Sequence, residues 1–267
     1  MQVLKQEQLK KLTSFKIGGP ADIYFPESLK EYQELLAIHS NAFILGGGTN
    51  ILFPDESITE PIICTNHLNG IVEFENKIQV EAGYKISKLF DFAAGIGVTA
   101  GGAVWNNFGA FGYEIGPFVE KIHVFTQKKD EWLAREDISF AYRDSSLKNK
   151  KQVIAEVIFN KKQIEHQSTY LHQRKEKQPL LIPSAGSVFK NPPGHYAGKL
   201  IEDCGLKGQS VGDAVVWNKH ANFIINKDKA TCADVKTLIN RIRSEVKNKF
   251  GIILELELEL FGEKNGL

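Results

Sequence analysis

No apolar run in this 267-residue chain approaches the roughly 20 residues that a helix needs to cross a bilayer. The opening MQVLKQEQLKKL also lacks the apolar core of a secretory signal, so a cytoplasmic location is expected. Cysteine is scarce. Cys64, Cys204 and Cys232 are odd in number, far apart and in no C-x-x-C pair, which argues against a disulfide framework and a zinc site. They read as small buried hydrophobes. The seven histidines are scattered without an H-E-x-x-H pair, and no metal is expected. An excess of one charge is missing too, since 33 Lys plus Arg nearly cancel 32 Asp plus Glu. Without a global field, neither nucleic acid nor an anionic membrane is an expected partner, and an anionic ligand must be held locally. There is no internal repeat.

The composition, 42% hydrophobic and 24% charged, is that of a folded globular chain. Ile23 to Phe25 reads as a strand ended by Pro26, and Ser28 with Glu31 forms a capping box for a helix carrying Tyr32, Leu35 and Leu36. A strand from Ala42 to Leu45 then runs into Gly46, Gly47 and Gly48, after which the apolar run Ile51 to Phe53 resumes at once. These glycines join strand to strand in a βαβ-like lobe. From Ile62 to about Asn160 the pattern is β-rich, with strands expected at Ile71–Phe74, Ile78–Val80, Ile122–Phe125 and Val153–Phe159. One helix is expected near Ile86, Leu89, Phe90 and Ala93. The polar stretch from Lys161 reads as a connecting helix or linker. Beyond Pro183 come a short helix through Ala197, Leu200, Ile201 and Cys204, stopped by Gly205, and a strand from Asn222 to Ile225. A long helix follows, capped by Thr231 with Asp234, striped by Val235, Leu238, Ile239, Ile242, Val246 and Phe250, and stopped by Gly251. The chain closes on Ile252–Phe261, where Leu254, Leu256, Leu258 and Leu260 alternate with glutamates as in a strand with one buried face.

Glycine is where the sequence turns toward chemistry. Without a Cβ the backbone can approach a phosphate closely and aim several N–H groups at it. LGGGTN (Leu45–Asn50) has that capacity, yet it neither opens a helix nor matches a P-loop, which excludes the Rossmann and P-loop readings. Alone it is equally an ordinary tight turn. A second segment holds Gly95, Gly97, Gly101, Gly102, Gly109, Gly112 and Gly116, more glycine than turns need. Two such loops beside strands are expected to hold the two halves of a dinucleotide pyrophosphate.

Seven stretches, in order along almost the whole chain, resemble the UDP-N-acetylenolpyruvoylglucosamine reductase family. They are LTSFKIGGPAD (from Leu12), LGGGTNILF (from Leu45), GGAVWNNFGAFG (from Gly101), FAYRDSSLK (from Phe140), PSAGSVFKNPPGHYAGKLIEDCGLKG (from Pro183), KHANFIIN (from Lys219) and ELELELFGE (from Glu255). The resemblance implies an α+β fold: a two-lobed FAD-binding domain of the vanillyl-alcohol-oxidase type, with lobes at 1–60 and 61–165, and a substrate-binding α+β domain at 166–267 whose last strand returns to the FAD domain. It implies NADPH-dependent reduction of UDP-N-acetylglucosamine enolpyruvate to UDP-N-acetylmuramate for peptidoglycan, through noncovalent FAD, by an enzyme expected to be a monomer. PPGHYAG and the short interval after Asp144 look like the subclass without an extra tyrosine loop. One departure stands out: the family's G-I-P-G-[ST]-V-G-G reads here Gly95-Ile96-Gly97-Val98-Thr99-Ala100-Gly101-Gly102, with the length kept.

The resemblance also assigns residues. For the cofactor it implies Gly46, Gly47, Gly48, Thr49, Asn50, Gly101, Gly102, Ala103, Asn107 and Gly109. Arg143 is implied to fork onto the substrate carboxylate as charge grows there, a task suited to a guanidinium, though alone it reads equally as an ion-pair partner of Asp144. Ser187 is implied as proton donor to C2, where a lone serine in a turn is usually a cap. Glu257 is implied to share a proton with the substrate carboxylate or to relay one, where pattern alone reads a solvated face. Lys190, Asn191, His195, Tyr196 and Arg174, with Lys199 behind them, are the diphosphate candidates. Two other readings stay open on residues alone: another FAD oxidoreductase of this fold acting on an alcohol or hydroxy acid, and a non-enzymatic nucleotide-sugar binder. A flavin spectrum separates the second, and reoxidation of reduced enzyme by the enolpyruvyl sugar separates the first.

Overall fold

A computed structural model of the chain describes residues 1–126, 130–149, 152–161 and 169–263. The chain divides into two compact units. The first comprises Met1–Gln6, Ala21–Gly47 and Thr59–His172, the second Glu7–Pro20, Gly48–Ile58 and Gln173–Leu267. Helices and strands mix in the α+β manner expected. Of the expected linker, residues 162–168 lie outside the described residues and Thr169–Lys177 is helical.

In the first unit the strands Pro20–Phe25 and Phe43–Leu45 both pair in parallel with Ile62–Cys64. Helix α1 (Leu29–Ile38) makes the crossover and buries Tyr32 and Leu35 in a cluster with Ile63, Leu68 and Phe125. The Ser28 hydroxyl accepts the Glu31 N–H at 3.2 Å as expected, but the Glu31 carboxylate accepts from Glu27 and not from Ser28. A second, antiparallel sheet runs in the order Asp130–Ala134, Val119–Phe125, Val153–Asn160, Lys77–Glu81, Ile71–Glu73. Its Ile78, Val80, Ile122, Val124, Val157 and Phe159 are buried together.

Two local expectations fail here for physical reasons. The helix expected through Ile86 and Ala93 is two 3₁₀ turns, Ile86–Lys88 and Asp91–Ala93, with Phe90 extended between them. Phe90 and Phe92 both enter one aromatic cluster with Phe118. Residues two apart on a helix do not share a face, so the core's demand for both rings breaks the helix. Conversely the glycine-rich segment contains helix α2 (Ala100–Trp105), which local propensity disfavours. Gly101 lets it lie close on the sheet, since a Cβ there would be 3.2 Å from the Ala82 Cβ.

After α2 come two small hairpins. Gly109–Ala110 pairs with Tyr113–Glu114, and Phe140–Ala141 pairs with Asp144–Ser145, leaving Tyr142 and Arg143 at the second turn. Asn107 joins them. Fully buried, with φ at +42°, it donates to the Glu114 carboxylate and to the Ala141 carbonyl, both at 2.8 Å, and accepts the Gly116 N–H at 3.1 Å.

The second unit holds a four-stranded antiparallel sheet in the order Ser184–Ser187, Phe223–Asn226, Ala214–Val216, Ser210–Val211. Two further helices are α4 (Ala197–Asp203) and α5 (Cys232–Phe250), α3 being Thr169–Lys177. The α5 capping box forms as expected, the Thr231 hydroxyl taking the Asp234 N–H and the Asp234 carboxylate returning to the Thr231 N–H, and Gly251 ends the helix at φ +71°. Val235, Leu238, Ile239, Ile242 and Val246 are buried. Phe250, expected on the same stripe, is 38% exposed, because the last turn passes beyond the core. The closing run keeps its alternation, with Leu254, Leu258 and Leu260 buried, but it is not one strand. Leu256 bridges Phe189, then Glu259–Leu260 pairs in parallel with Ile51–Leu52. It changes partner at Leu258.

Asn107→Ala removes three hydrogen bonds, leaves the buried Gly116 N–H without its acceptor and unties Glu114 and Ala141 from the helix end. A loss of about 3 kcal/mol is expected, which for a chain of this size lowers the melting temperature by roughly 5–12 °C. An unchanged thermal transition would show that Asn107 is not the tie between the hairpins.

Candidate active site

In the first unit Gly46 and Gly47 lie against the second glycine segment. A Cβ on Gly47 would fall 2.0 Å from the Gly97 carbonyl oxygen, and one on Gly46 would fall 2.6 Å from the Thr99 hydroxyl. Among the described residues the amides of Gly46, Gly47, Gly48, Thr49 and Asn50 donate to no backbone carbonyl. A short run of free N–H groups walled by glycine is suited to an anion. Not every expected ligand is available in the same way. The Gly101 N–H donates to Ala82 and the Ala103 N–H to Thr99, so these residues shape the wall. The Asn107 side chain is spent on its three bonds.

Arg143 is half-buried at its turn, with φ at +57°, a conformation costing a non-glycine residue on the order of 1 kcal/mol. Its guanidinium donates to the Gly109 carbonyl at 2.8 Å and stacks over Tyr142, 5.0 Å from the ring centre. Gly109 is required below it, since a Cβ there would stand 2.6 Å from the Tyr113 carbonyl oxygen and 2.9 Å from the Arg143 Nη1. Lys148 lies 3.5 Å from Asp144, the residue weighed as the partner of Arg143.

In the second unit Ser187 ends the strand after Gly186, whose φ of +81° accompanies a register irregularity opposite Phe223. Glu257 is beside it in the ladder: its N–H donates to the carbonyl of Val188, the residue after Ser187, at 2.9 Å. Its own carbonyl accepts from the Asn50 side chain at 2.9 Å. Asn222 holds the other side, exchanging two hydrogen bonds with the backbone of Phe189.

Ser187 lines a cavity of about 290 Å³ together with Asn191, Tyr196, Lys199, Lys219 and His220. Of the diphosphate candidates, Asn191 and Tyr196 are thus at the cavity, as is Lys199; Lys190, His195 and Arg174 are not among its lining residues. Arg174 is 1% exposed, donates to Gln178 at 2.8 Å, and burial pushes its guanidinium down to about 10. Lys219 and His220 were not singled out from the sequence, although KHANFIIN carries them just before a strand. Burial lowers the His220 pKa from its ordinary value. Its Nδ1 accepts the Asn222 N–H at 3.3 Å, which fits a neutral ring.

The family model for the UDP-N-acetylenolpyruvoylglucosamine reductase C-terminal domain matches residues 178–261. A reductase of that name from Caldanaerobacter subterraneus subsp. tengcongensis is 42% identical, covering 97% of this chain and 93% of the relative. One from Thermotoga maritima is 38% identical, covering 96% and 97%. The crystal structure of UDP-N-acetylenolpyruvylglucosamine reductase from Thermus caldophilus superposes with a TM-score of 0.83 at 31% identity, over 97% of this chain and 99% of that one. Fold and sequence therefore make the chain an oxidoreductase of α+β architecture. It belongs to the UDP-N-acetylenolpyruvoylglucosamine reductase family, and neither alternative left open by the residues is favoured. The family implies a flavin and a UDP-sugar. No helix among the described residues is long and apolar enough to cross a membrane.

Gly47→Val sets a branched side chain where the Gly97 carbonyl already stands. The folded variant is expected to purify without flavin, read as lost absorbance near the visible flavin band. Normal flavin content would remove this loop from cofactor binding.

Proposed function

We propose that the chain reduces the enolpyruvyl group of UDP-N-acetylglucosamine enolpyruvate to give UDP-N-acetylmuramate, with noncovalent FAD and NADPH as electron donor, in the cytoplasm. The observation that carries this reading is the cavity that Ser187 lines together with Lys199 and Lys219, with Glu257 paired through its N–H to the following residue, Val188, in a chain of which 97% aligns with a reductase of that name.

Gly46 and Gly47, with Gly101, Gly102 and Ala103 as their wall, fit the FAD pyrophosphate. No histidine or cysteine occurs in either glycine loop to form a covalent link. What FAD supplies when bound is hydride transfer from NADPH to C3 of the enolpyruvyl ether.

The remaining work falls to the protein. Arg143, fixed by the Gly109 carbonyl, presents a guanidinium to the substrate carboxylate as electron density moves onto it. Ser187 gives a proton to C2. Serine is a weak acid, but an enolate carbon is basic enough for an oriented hydroxyl to serve. Glu257 shares a proton with the substrate carboxylate or relays one. Asn191, Lys199 and Lys219 hold the diphosphate, and the exposed face of Tyr196 closes that end of the cavity. Lys190, His195 and Arg174 are assigned no contact with it.

Ser187→Ala separates the half-reactions. FAD binding and flavin reduction by NADPH are expected to stay near normal, while reoxidation by the enolpyruvyl sugar slows about 10²- to 10⁴-fold. Anaerobic stopped-flow absorbance of the reduced variant measures it. Reoxidation at the unmutated rate removes Ser187 from proton donation, and an equal slowing of the NADPH step means that it only shapes the site.

A further inference from the structure

We propose that Lys148 is a positioning residue that sets Arg143 for the substrate carboxylate through its main chain, an inference that rests on the role given to Arg143 above. Arg143 takes the second turn position of its hairpin with φ at +57°. Turns ordinarily place glycine or asparagine in that left-handed region, and another residue persists there only where its surroundings hold it. The Gly109 carbonyl holds the guanidinium at 2.8 Å. That bond secures the far end of a long side chain and leaves the backbone of the turn to another group.

Lys148 is that group. It is half-buried in the 3₁₀ turn Ser146–Asn149, just past the hairpin and within the same unit. Its Nζ donates to the Arg143 carbonyl at 3.2 Å and to the Asn106 side-chain oxygen at 2.8 Å. Asn106 stands at the end of α2, where the Trp105 carbonyl accepts the Ser145 hydroxyl and the Asn107 side chain donates to the Ala141 carbonyl, both at 2.8 Å. Three consecutive residues thus tie the hairpin to the helix. Ser145 and Ala141 lie in the strands of the hairpin, and Lys148 carries the same support to the turn residue itself. The ordinary role for this lysine is an ion pair with Asp144, at 3.5 Å. With the Asp144 side chain 53% exposed, such a pair contributes little. An Nζ has three donors, and two of these are directed at fixed acceptors in the turn and at the helix end, which is the arrangement of a brace.

The test compares Lys148→Met, Asn106→Ala, Arg143→Ala and the double variant Lys148→Met with Arg143→Ala, each as full-length enzyme loaded with FAD. Methionine keeps the stem and removes the donors. Reoxidation of the reduced Lys148→Met enzyme by the enolpyruvyl sugar is expected to slow about 10- to 100-fold, the scale of a small misplacement of a reacting group. Flavin reduction by NADPH should stay near normal. Affinity for UDP-N-acetylglucosamine, which lacks the enolpyruvyl carboxylate, should not change in calorimetry. Asn106→Ala loosens the brace without removing it, and a smaller slowing of the same half-reaction is expected. In the Arg143→Ala background, itself slowed about 10²- to 10³-fold, Lys148→Met should add nothing, because residues that act as one unit are not additive. Losses that multiply mean that Lys148 acts on its own, and they overturn the proposal. So does an unmutated reoxidation rate in Lys148→Met, or an equal slowing of the NADPH step. If Lys148→Met does not fold, an unmutated rate in Asn106→Ala overturns it alone. Arg143→Ala that reoxidises at the unmutated rate sinks the role of Arg143 itself, and Lys148 with it.

Discussion

Backbone rests on backbone where Gly47 meets Gly97, with no room for even a methyl group between them. This contact sets how close the strand-to-strand loop comes to the segment that leads into α2. From it follow the position of Thr99 next to Gly46 and the run of unclaimed amides along the loop. The helix is anchored from its other side, its first amides donating to Tyr84 and Ala82 on the β-rich part of the unit. Asn107, just past the helix, then fixes both hairpins, one of which presents Arg143. One close approach of glycine backbones thus sets the geometry that runs from this loop through α2 to the hairpins of the first unit.

The second unit reaches comparable definition by sharing acceptors. The Val188 carbonyl takes N–H groups from both Glu257 and Leu258, at 2.9 and 3.2 Å. This forks the ladder and releases the chain toward Ile51–Leu52. Asn222 grips Phe189 through both ends of its amide, and its backbone carbonyl accepts the Val188 N–H. Ser187 and Glu257 are therefore held through main chain next to a rigid, buried amide. Neither depends on a long side chain for its place.

Much of this was legible. The periodicity of α5, its capping box and its glycine stop gave an element that the structure reproduces at both ends, because local chemistry and burial agree there. The βαβ lobe and the role of glycine between its strands were legible for the same reason. The turns around Phe90 were not, since which of two nearby rings enters the core depends on partners as distant as Phe159. Helix α2 was hidden by glycines that local propensity counts against a helix and that packing on Ala82 requires. At the candidate site, the resemblance named Ser187, Glu257 and Arg143, but only the fold reveals that Asn107 braces hairpins or that His220 lines the cavity. Individual basic residues resisted assignment because pattern does not distinguish an enclosed Arg174 from an accessible Lys199.

Gly251 has a further meaning in terms of tolerated insertions. Its left-handed turn starts the closing run at a fixed phase, so that Leu254, Leu258 and Leu260 point inward and the glutamates between them do not. A strand-like run has a period of two, and a single residue added between Gly251 and Leu254 exchanges its faces. Three carboxylates would then press on the core, and Glu257 would leave its place beside Ser187. Two added residues would restore the inward leucines while shifting the acid by one full period. The chain should therefore accept length changes here as pairs in folding assays, yet lose activity with either. Soluble, active protein from a single-residue insertion would show that the phase is set elsewhere.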